Sequence, residues 1–355
     1  MNINDIFHHL HTIAELSYQE KNTQQFIENY FKNHKCKIYK YKTSIIIYFD
    51  LNKSETIGFR CEEDALPIQE VNDNQYKNNE GHMHACGHDG HMSMMIKLGD
   101  YINDNLASMK YNVILIFQMA EECAFGAIDL INNSILNSLK IKYIFAFHLF
   151  PGLKEGYLFA KKGQMLAKCM ELDVIFKGKS SHVANKNQGT DANEAGYLFI
   201  KNIKKLAIMH KKDVTYLFGT INGGCLRNIV SSSCIIKGTL RVFDENIGAK
   251  IIKKIKLILN KIQRKTKCIC SLKINDNYKV VFNNNALYEK AKKIIPIYNT
   301  DKKLIGDDFC HYQDLCPCLY ILLGIDSSPL HSETFLFNEH VLNIGLDNLK
   351  KLLFI

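Results

Sequence analysis

The chain has only four arginines, Arg60, Arg227, Arg241 and Arg264, so its formal charge of +9 over 355 residues comes almost wholly from lysine. The lysines spread over stretches such as Lys250 to Lys267 instead of interleaving with aromatics in one stripe. That pattern argues for solvated faces and against nucleic acid as a partner. Scarcity also makes each arginine informative, because lysine serves wherever charge alone is needed. No apolar run reaches eighteen residues, and the segment holding Asn4, Asp5, His8, His9 and His11 lacks an export pattern. A cytoplasmic protein with no membrane partner is therefore expected. Without an export signal, the twelve cysteines read as reduced thiols. Cys268-Ile269-Cys270 and Cys316-Pro317-Cys318 lack zinc-finger spacing. There is no internal repeat and no low-complexity linker, only the asparagine-rich loop Asn72 to Asn79.

An apolar content of 46% supports a large core, and the length exceeds the usual single-core size, so two domains are expected. Helical spacing over Gln24 to Phe31 alternates with strand patterns at Ser44 to Phe49 and Thr56 to Arg60. A helix is predicted from His91 to about Asn105, then strands at Val113 to Phe117 and Tyr143 to Phe147. This alternation predicts an α/β sheet with helices on its faces. From Cys169 the pattern changes. Met170 to Phe176, Val214 to Ile221, Cys234 to Val242 and Cys268 to Ile274 read as strands, with helices predicted over Ala192 to His210 and Asn246 to Arg264. The order β-α-β-β-α-β is ferredoxin-like. Helix resumes from Ala286 to Ile295, with Asn285 as its expected N-cap, before a strand at Leu319 to Leu323. The expected division is residues 1–167 and 278–355 as one catalytic domain, with residues 168–277 inserted as a lid or dimerisation unit.

The chemistry concentrates in Met83-His84-Ala85-Cys86-Gly87-His88-Asp89-Gly90-His91, where a thiol, three imidazoles and a carboxylate share nine residues. Buried polar groups are costly unless paired or metal-bound, and Cys86 with His88 suits a borderline transition metal. Glu121-Glu122 follow the strand ending at Phe117, His148 follows Phe147, and His331 lies between the last strand and the last helix. Paired glutamates there can divide the work of a metallohydrolase, one ligating and one moving protons. Cys86, His88, Glu122, His148 and His331 make five ligand-type residues, too many for one tetrahedral zinc but suited to two metals sharing a thiolate.

With Asp64-Ala65-Leu66-Pro67, Ala120-Glu121-Glu122, Lys177-Gly178-Lys179-Ser180-Ser181-His182, Gly238-Thr239-Leu240-Arg241 and Asp307-Asp308-Phe309, the chain closely resembles the metal-dependent amidohydrolases of metallopeptidase family 20, subfamily D. That group includes hippurate hydrolases, N-acyl-amino-acid amidohydrolases and N-acetyldiaminopimelate deacetylases. The resemblance implies that Cys86 bridges two divalent ions, one also taking Glu122 and His331, the other His88 and His148. Manganese or zinc is expected first, with cobalt or nickel also able to serve. It further implies that Glu121 is the general base and that Asp64 orients a ligand histidine. Alone, His182 reads as a surface loop histidine; by resemblance it binds the scissile carbonyl oxygen, reaching across a homodimer interface. Asn228 and Arg241 are candidates for holding a substrate carboxylate, although Arg241 reads equally well as a strand-surface residue.

The chain departs from the family at Glu62 (usually aspartate), Met119 (usually proline) and Ser180-Ser181 (usually glycines), none of which removes a ligand or the base. The leading expectation is hydrolysis of small N-acyl amino acids by a metal-activated water. A narrower alternative is N-acetyldiaminopimelate deacetylation, which Leu323-Gly324-Ile325-Asp326-Ser327 resembles. A catalytically weak metal- or ligand-binding protein is the alternative of another class, and the intact Glu121 argues against it.

Overall fold

The computed structural model describes residues 1–275 and 278–355. It begins with α1 (Ile3–Thr12) and α2 (Lys21–Phe31). Asn2 and Asp5 close a reciprocal capping box at the start of α1, and the helix buries Ile3, Ile6, Phe7 and Leu10. Strands β1 (Lys37–Tyr41), β2 (Ser44–Phe49) and β3 (Thr56–Glu62) follow, then α3 (His88–Asp104), β4 (Asn112–Gln118), α4 (Gly126–Asn132), β5 (Ile141–Pro151), β6 (Leu158–Ala160) and β7 (Gly163–Leu166). The middle of the chain forms β8 (Lys168–Lys177), α5 (Ala192–Ile203), β9 (Val214–Gly223), β10 (Ser233–Val242), α6 (Glu245–Thr266) and β11 (Ile269–Asn275). The last part gives β12 (Val281–Asn283), α7 (Asn285–Lys292), β13 (Ile297–Asn299), β14 (Cys318–Ile325) and α8 (His340–Leu352).

The fold is α/β, in two units. One comprises Met1–Met165, Val281–Lys302 and Asp307–Ile355; the other comprises Leu166–Val280 with Lys303–Gly306. The expected boundary at residue 277 lies outside the described residues. In the first unit eight strands form a mixed sheet, ordered β1-β2-β4-β3-β5-β14-β6-β13. Its centre, β4-β3-β5-β14, is parallel. β3, β4 and β14 are buried along their whole lengths, as parallel strands covered on both faces must be. That is why they read as unbroken apolar runs.

In the second unit the sheet order is β11-β8-β10-β9, with all neighbouring pairs antiparallel. Together with α5 and α6 this is the ferredoxin-like order. Its core draws on Leu172, Val174, Phe176, Phe199, Ile236, Leu240, Ile251 and Ile255.

Several elements differ from their sequence patterns. α3 starts at His88, three residues earlier than predicted, because Gly87 turns the chain left-handed at φ 83° and lets the helix begin there. His148 lies inside β5 instead of after a strand. The helix predicted through His210 stops at Ile203, and a separate short 3-10 turn covers Ala207–His210 after Leu206 adopts extended backbone. The N-cap of α7 is Asn284, whose side chain accepts the Leu287 N–H, so Asn285 is already helical. All twelve cysteines are free.

Candidate metal centre

The carboxyl ends of the parallel strands collect the polar residues of the first unit, as open α/β sheets commonly do. Past β3 comes Asp64, past β4 come Glu121 and Glu122, within β5 is His148, and past β14 is His331. Cys86 and His88 stand at the start of α3. His331 has φ 63°, and its N–H donates to the Ala85 carbonyl at 2.8 Å, which ties its loop to the Cys86 segment.

These side chains converge. Ligand atoms of Cys86, His88 and His148 lie within 4.8 Å of one another, as do those of Cys86, Glu122 and His331, and those of His88, Glu121 and Glu122. Cys86 Sγ is 3.6 Å from His148 Nε2. Each imidazole is turned by its other nitrogen. His88 Nδ1 donates to the Asp64 carbonyl at 2.8 Å, and His148 Nδ1 to the Leu149 carbonyl at 2.7 Å. Both Nε2 atoms are thereby free to act as ligands. Among the described residues, His88 Nε2 and Glu122 Oε1 are buried without a hydrogen-bond partner. Glu122 Oε1 and His331 Nε2 sit 3.4 Å apart.

Orphaned acceptors facing one point are costly unless something positive joins them. Burial alone would lower His88, but Asp64, Glu62 and Glu122 outweigh it and lift it to about 10. The same negative field that would favour a proton there favours a metal cation. His148 is kept neutral, lowered well below its ordinary value by burial and by neighbouring His91. A neutral imidazole is the form that ligates. The donor set thus fits divalent transition metal.

Asp64 is fully buried and has two jobs in the geometry. Its carbonyl takes the His88 proton, with the carboxylate Oδ1 at 3.6 Å from the same nitrogen. Its carboxylate accepts the peptide N–H groups of Glu121 at 3.1 Å and Glu122 at 2.9 Å, and the Ser17 hydroxyl at 2.7 Å. Gly126 lets this turn close. A Cβ there would lie 1.7 Å from the Met119 carbonyl oxygen.

Beneath the cluster lies a buried ionic network centred on Arg60. The guanidinium meets Glu62, donates to Asp308 at 2.6 Å and Gln118 at 2.8 Å, and approaches Asp307 at 3.1 Å. Glu62 also accepts from His91 Nδ1 at 2.8 Å, and His91 Nε2 accepts the Leu149 N–H at 2.8 Å. The residue that departs from the family's aspartate therefore links Arg60 to the strand carrying His148. Met119, the departure from proline, has a peptide N–H that donates to Ser44 Oγ at 2.9 Å. Burial, then Asp307 and Glu122, push the Glu121 carboxyl well above its ordinary value.

The second unit carries His182, Asn228 and Arg241. His182 is exposed, and its Nδ1 accepts the Ala184 N–H. Asn228 lies on the adjoining segment, its carbonyl accepting the Val183 N–H at 2.9 Å. Arg241 is elsewhere: Nη1 donates to the Leu304 carbonyl at 2.9 Å, near the opposite end of β10 from Asn228. Eight residue steps along the strand lead from Ser233 to Arg241, roughly 26 Å at about 3.3 Å per residue. Within the second unit, Asn228 therefore adjoins the Ser233 end of β10 and Arg241 lies near its other end.

Sequence reading missed two buried groups. His11 bridges Asp89 (2.6 Å) and Glu70 (2.9 Å), and Glu20 holds Ala120 and Thr43. No local motif marks either one, since a histidine or glutamate on an amphipathic helix ordinarily faces water.

Residues 58–354 match the Peptidase family M20/M25/M40. The chain belongs to that family. An uncharacterized hydrolase of Staphylococcus epidermidis is 31% identical over 356 residues, covering 94% of this chain and 92% of its own. The N-acetyldiaminopimelate deacetylase of Ligilactobacillus salivarius is 30% identical over 354 residues, covering 95% and 92%. Among solved structures, a Bacillus subtilis protein described as a dinuclear metal binding peptidase from this family shares the fold, with a TM-score of 0.85 at 24% identity and coverage of 99% and 96%. The chain is a hydrolase of the M20 family with a cluster of metal-ligand residues in its first unit.

Proposed function

We propose that this hydrolase is a dinuclear metal-dependent amidohydrolase that cleaves small N-acyl amino acids. The observation that carries the reading is the pair of ligand triads meeting at Cys86, with orphaned acceptors at His88 and Glu122. Cys86, Glu122 and His331 would hold one divalent ion, and Cys86, His88 and His148 the other. Manganese and zinc lead the candidates, with cobalt and nickel compatible, because availability often decides over affinity. Bound there, divalent metal supplies Lewis-acid polarisation of the scissile carbonyl and acidifies water.

The chain's own residues do the rest. Glu121, within 4.8 Å of ligand atoms of His88 and Glu122, takes a proton from the attacking water as its oxygen bonds to the acyl carbon. As the C–N bond breaks, Glu121 returns that proton to the leaving nitrogen. Asp64 fixes the Glu121 and Glu122 backbone and the His88 ring. His182 is the candidate donor to the carbonyl oxygen, with Asn228 and Arg241 as candidates for the substrate carboxylate. A homodimer formed through the second unit is proposed, since its open sheet edge invites pairing with another copy. N-acetyldiaminopimelate deacetylation is the second reading, supported by the 30% identical deacetylase of Ligilactobacillus salivarius.

The deciding experiment loads purified protein with manganese or zinc and measures metal content and hydrolysis of an N-acyl amino acid panel that includes N-acetyldiaminopimelate. Two ions per chain, chelator-sensitive turnover and loss of both ions in Cys86→Ala are expected. One ion or none would sink the dinuclear assignment. Full metal without turnover on any member would leave a binding protein.

A further inference from the structure

The turn after β4 contains an unusual run of captured peptide groups. Four successive N–H groups, of Met119, Ala120, Glu121 and Glu122, donate to three side chains from elsewhere in the sequence. Ser44 Oγ takes the first at 2.9 Å, Glu20 Oε1 the second at 2.9 Å, and the two oxygens of Asp64 take the others at 3.1 and 2.9 Å. The Ala120 carbonyl then accepts the Gly126 N–H, and the Glu121 carbonyl accepts the Ala124 N–H. Within this turn Ala120 has φ 55° and Ala124 has φ 66°. An alanine in the left-handed region is strained and persists only where its surroundings hold it.

Glu20 is the side chain that holds Ala120. It is fully buried, sits at the entrance of α2, and its second oxygen accepts the Thr43 hydroxyl at 2.6 Å. The carboxylate is therefore fixed from one side by Thr43 while its other oxygen grips the residue immediately before Glu121. Relaxation of Ala120 toward ordinary φ would rotate the following peptide and swing the Glu121 side chain. The hydrogen bonds of the Glu20 side chain go to Ala120 and Thr43, neither of which belongs to the candidate ligand set.

We propose that Glu20 is a positioning residue for the proton-transferring Glu121, acting by clamping Ala120 in its left-handed conformation. The inference rests on the amidohydrolase reading for its kinetic consequence and on hydrogen bonds alone for its structural one. Glutamine at this position can still offer an oxygen to the Ala120 N–H, whereas alanine cannot.

The test compares wild type, Glu20→Ala and Glu20→Gln as full-length, metal-loaded proteins. In Glu20→Ala, kcat is expected to fall roughly 10- to 100-fold, the scale of a small misplacement of a catalytic group. KM and metal content are expected to stay as in wild type, and Glu20→Gln should recover most of kcat. Hydrogen exchange read on a peptide spanning residues 119–126 should quicken in Glu20→Ala and not in Glu20→Gln. Should Glu20→Ala fail to fold, Glu20→Asp withdraws the acceptor by one methylene and carries the same expectation at smaller size. Unchanged exchange at 119–126, metal loss in step with kcat, or failure of glutamine to restore the turn would each overturn the clamp. If wild type cleaves no amide, the functional reading fails, and the exchange comparison still decides the clamp.

Discussion

Arg60→Met is expected to destabilise the first unit by about 3–5 kcal/mol at pH 7, the usual cost of stripping one partner from a buried ionic network. The guanidinium is fully buried and satisfies Glu62, Asp308 and Gln118 while lying beside Asp307. Methionine fills similar space and removes every donor. Glu62, Asp307 and Asp308 would remain, all nearly inaccessible to water, at 1%, 2% and 0% exposure. The pH dependence distinguishes lost charge from lost packing. Burial pushes Glu62 up, but Arg60 and His91 outweigh it and hold it well below the usual carboxylate range. A depressed carboxyl contributes stability above its unfolded value, near ~4.3, and loses it as pH falls through the folded value. Asp308 is already raised to about 7, because burial and Asp307 prevail over Arg60, so its cost grows as pH rises from its unfolded value toward 7. Without Arg60 both groups move upward. The deficit of the variant should therefore be large at pH 7 and shrink below about pH 4, where unfolded carboxyls are also protonated. Urea denaturation at both pH values, with hydrogen exchange of β3 and β4 amides to isolate the first unit, measures it. A loss under ~1 kcal/mol at pH 7, against the 3–5 expected of such networks, or a deficit that grows on acidification, would refute the reasoning.

Two further outcomes concern the paired glutamates and the His11 bridge. Glu121→Gln should keep both ions and substrate binding while turnover drops by roughly 10²-fold or more, whereas Glu122→Gln should lose metal; near-normal turnover in Glu121→Gln would remove its assigned role. His11 is raised to about 9, since Asp89 and Glu70 together prevail over burial, which acts downward. Its contribution to stability is full below the unfolded value of about 6.5 and is lost as pH rises through about 9, so wild type should lose more thermal stability between pH 6 and 9.5 than His11→Gln does. Parallel pH profiles for the two proteins would contradict the charged His11 bridge.

The ligand cluster was legible because metal chemistry restricts residue types and the motif packs them into nine positions. The sheet was legible because its central strands are buried on both faces and read as apolar runs. What stayed hidden was the paired charge. Arg60 lies on a strand pattern and Glu20 and His11 on or beside helices, where such residues ordinarily meet solvent; their partners Asp308, Ala120 and Asp89 are far away in sequence. The start of α3 was misjudged for a related reason. Periodicity begins with the first apolar residues, but the helix begins where Gly87 can turn left-handed, and that places His88 in its first turn. Asn284 and not Asn285 caps α7 because either amide could do so by type, and only register decides.

The position of Arg241 bears on how substrate could be held. β10 pairs Arg241 with Cys169 near one end and Ser233 with Lys177 at the other. Beyond Ser233 the chain runs on through the segment that carries Asn228, and the Val183 N–H, next to His182, donates to the Asn228 carbonyl. His182 and Asn228 therefore form one local group, while Arg241 sits toward the other end of β10 and donates to the Leu304 carbonyl. Under the proposed reading, a short N-acyl amino acid would be held through its carboxylate by one of these groups, and esterifying that carboxylate should weaken cleavage relative to the free acid only if such a contact is made. The edge strand β9 carries exposed Leu217 and Ile221, and open edges of this kind invite pairing with another copy. Pairing of β9 with a second copy of the chain would cover that apolar edge, and solution scattering showing a monomer at micromolar concentration with full activity would remove the homodimer proposal.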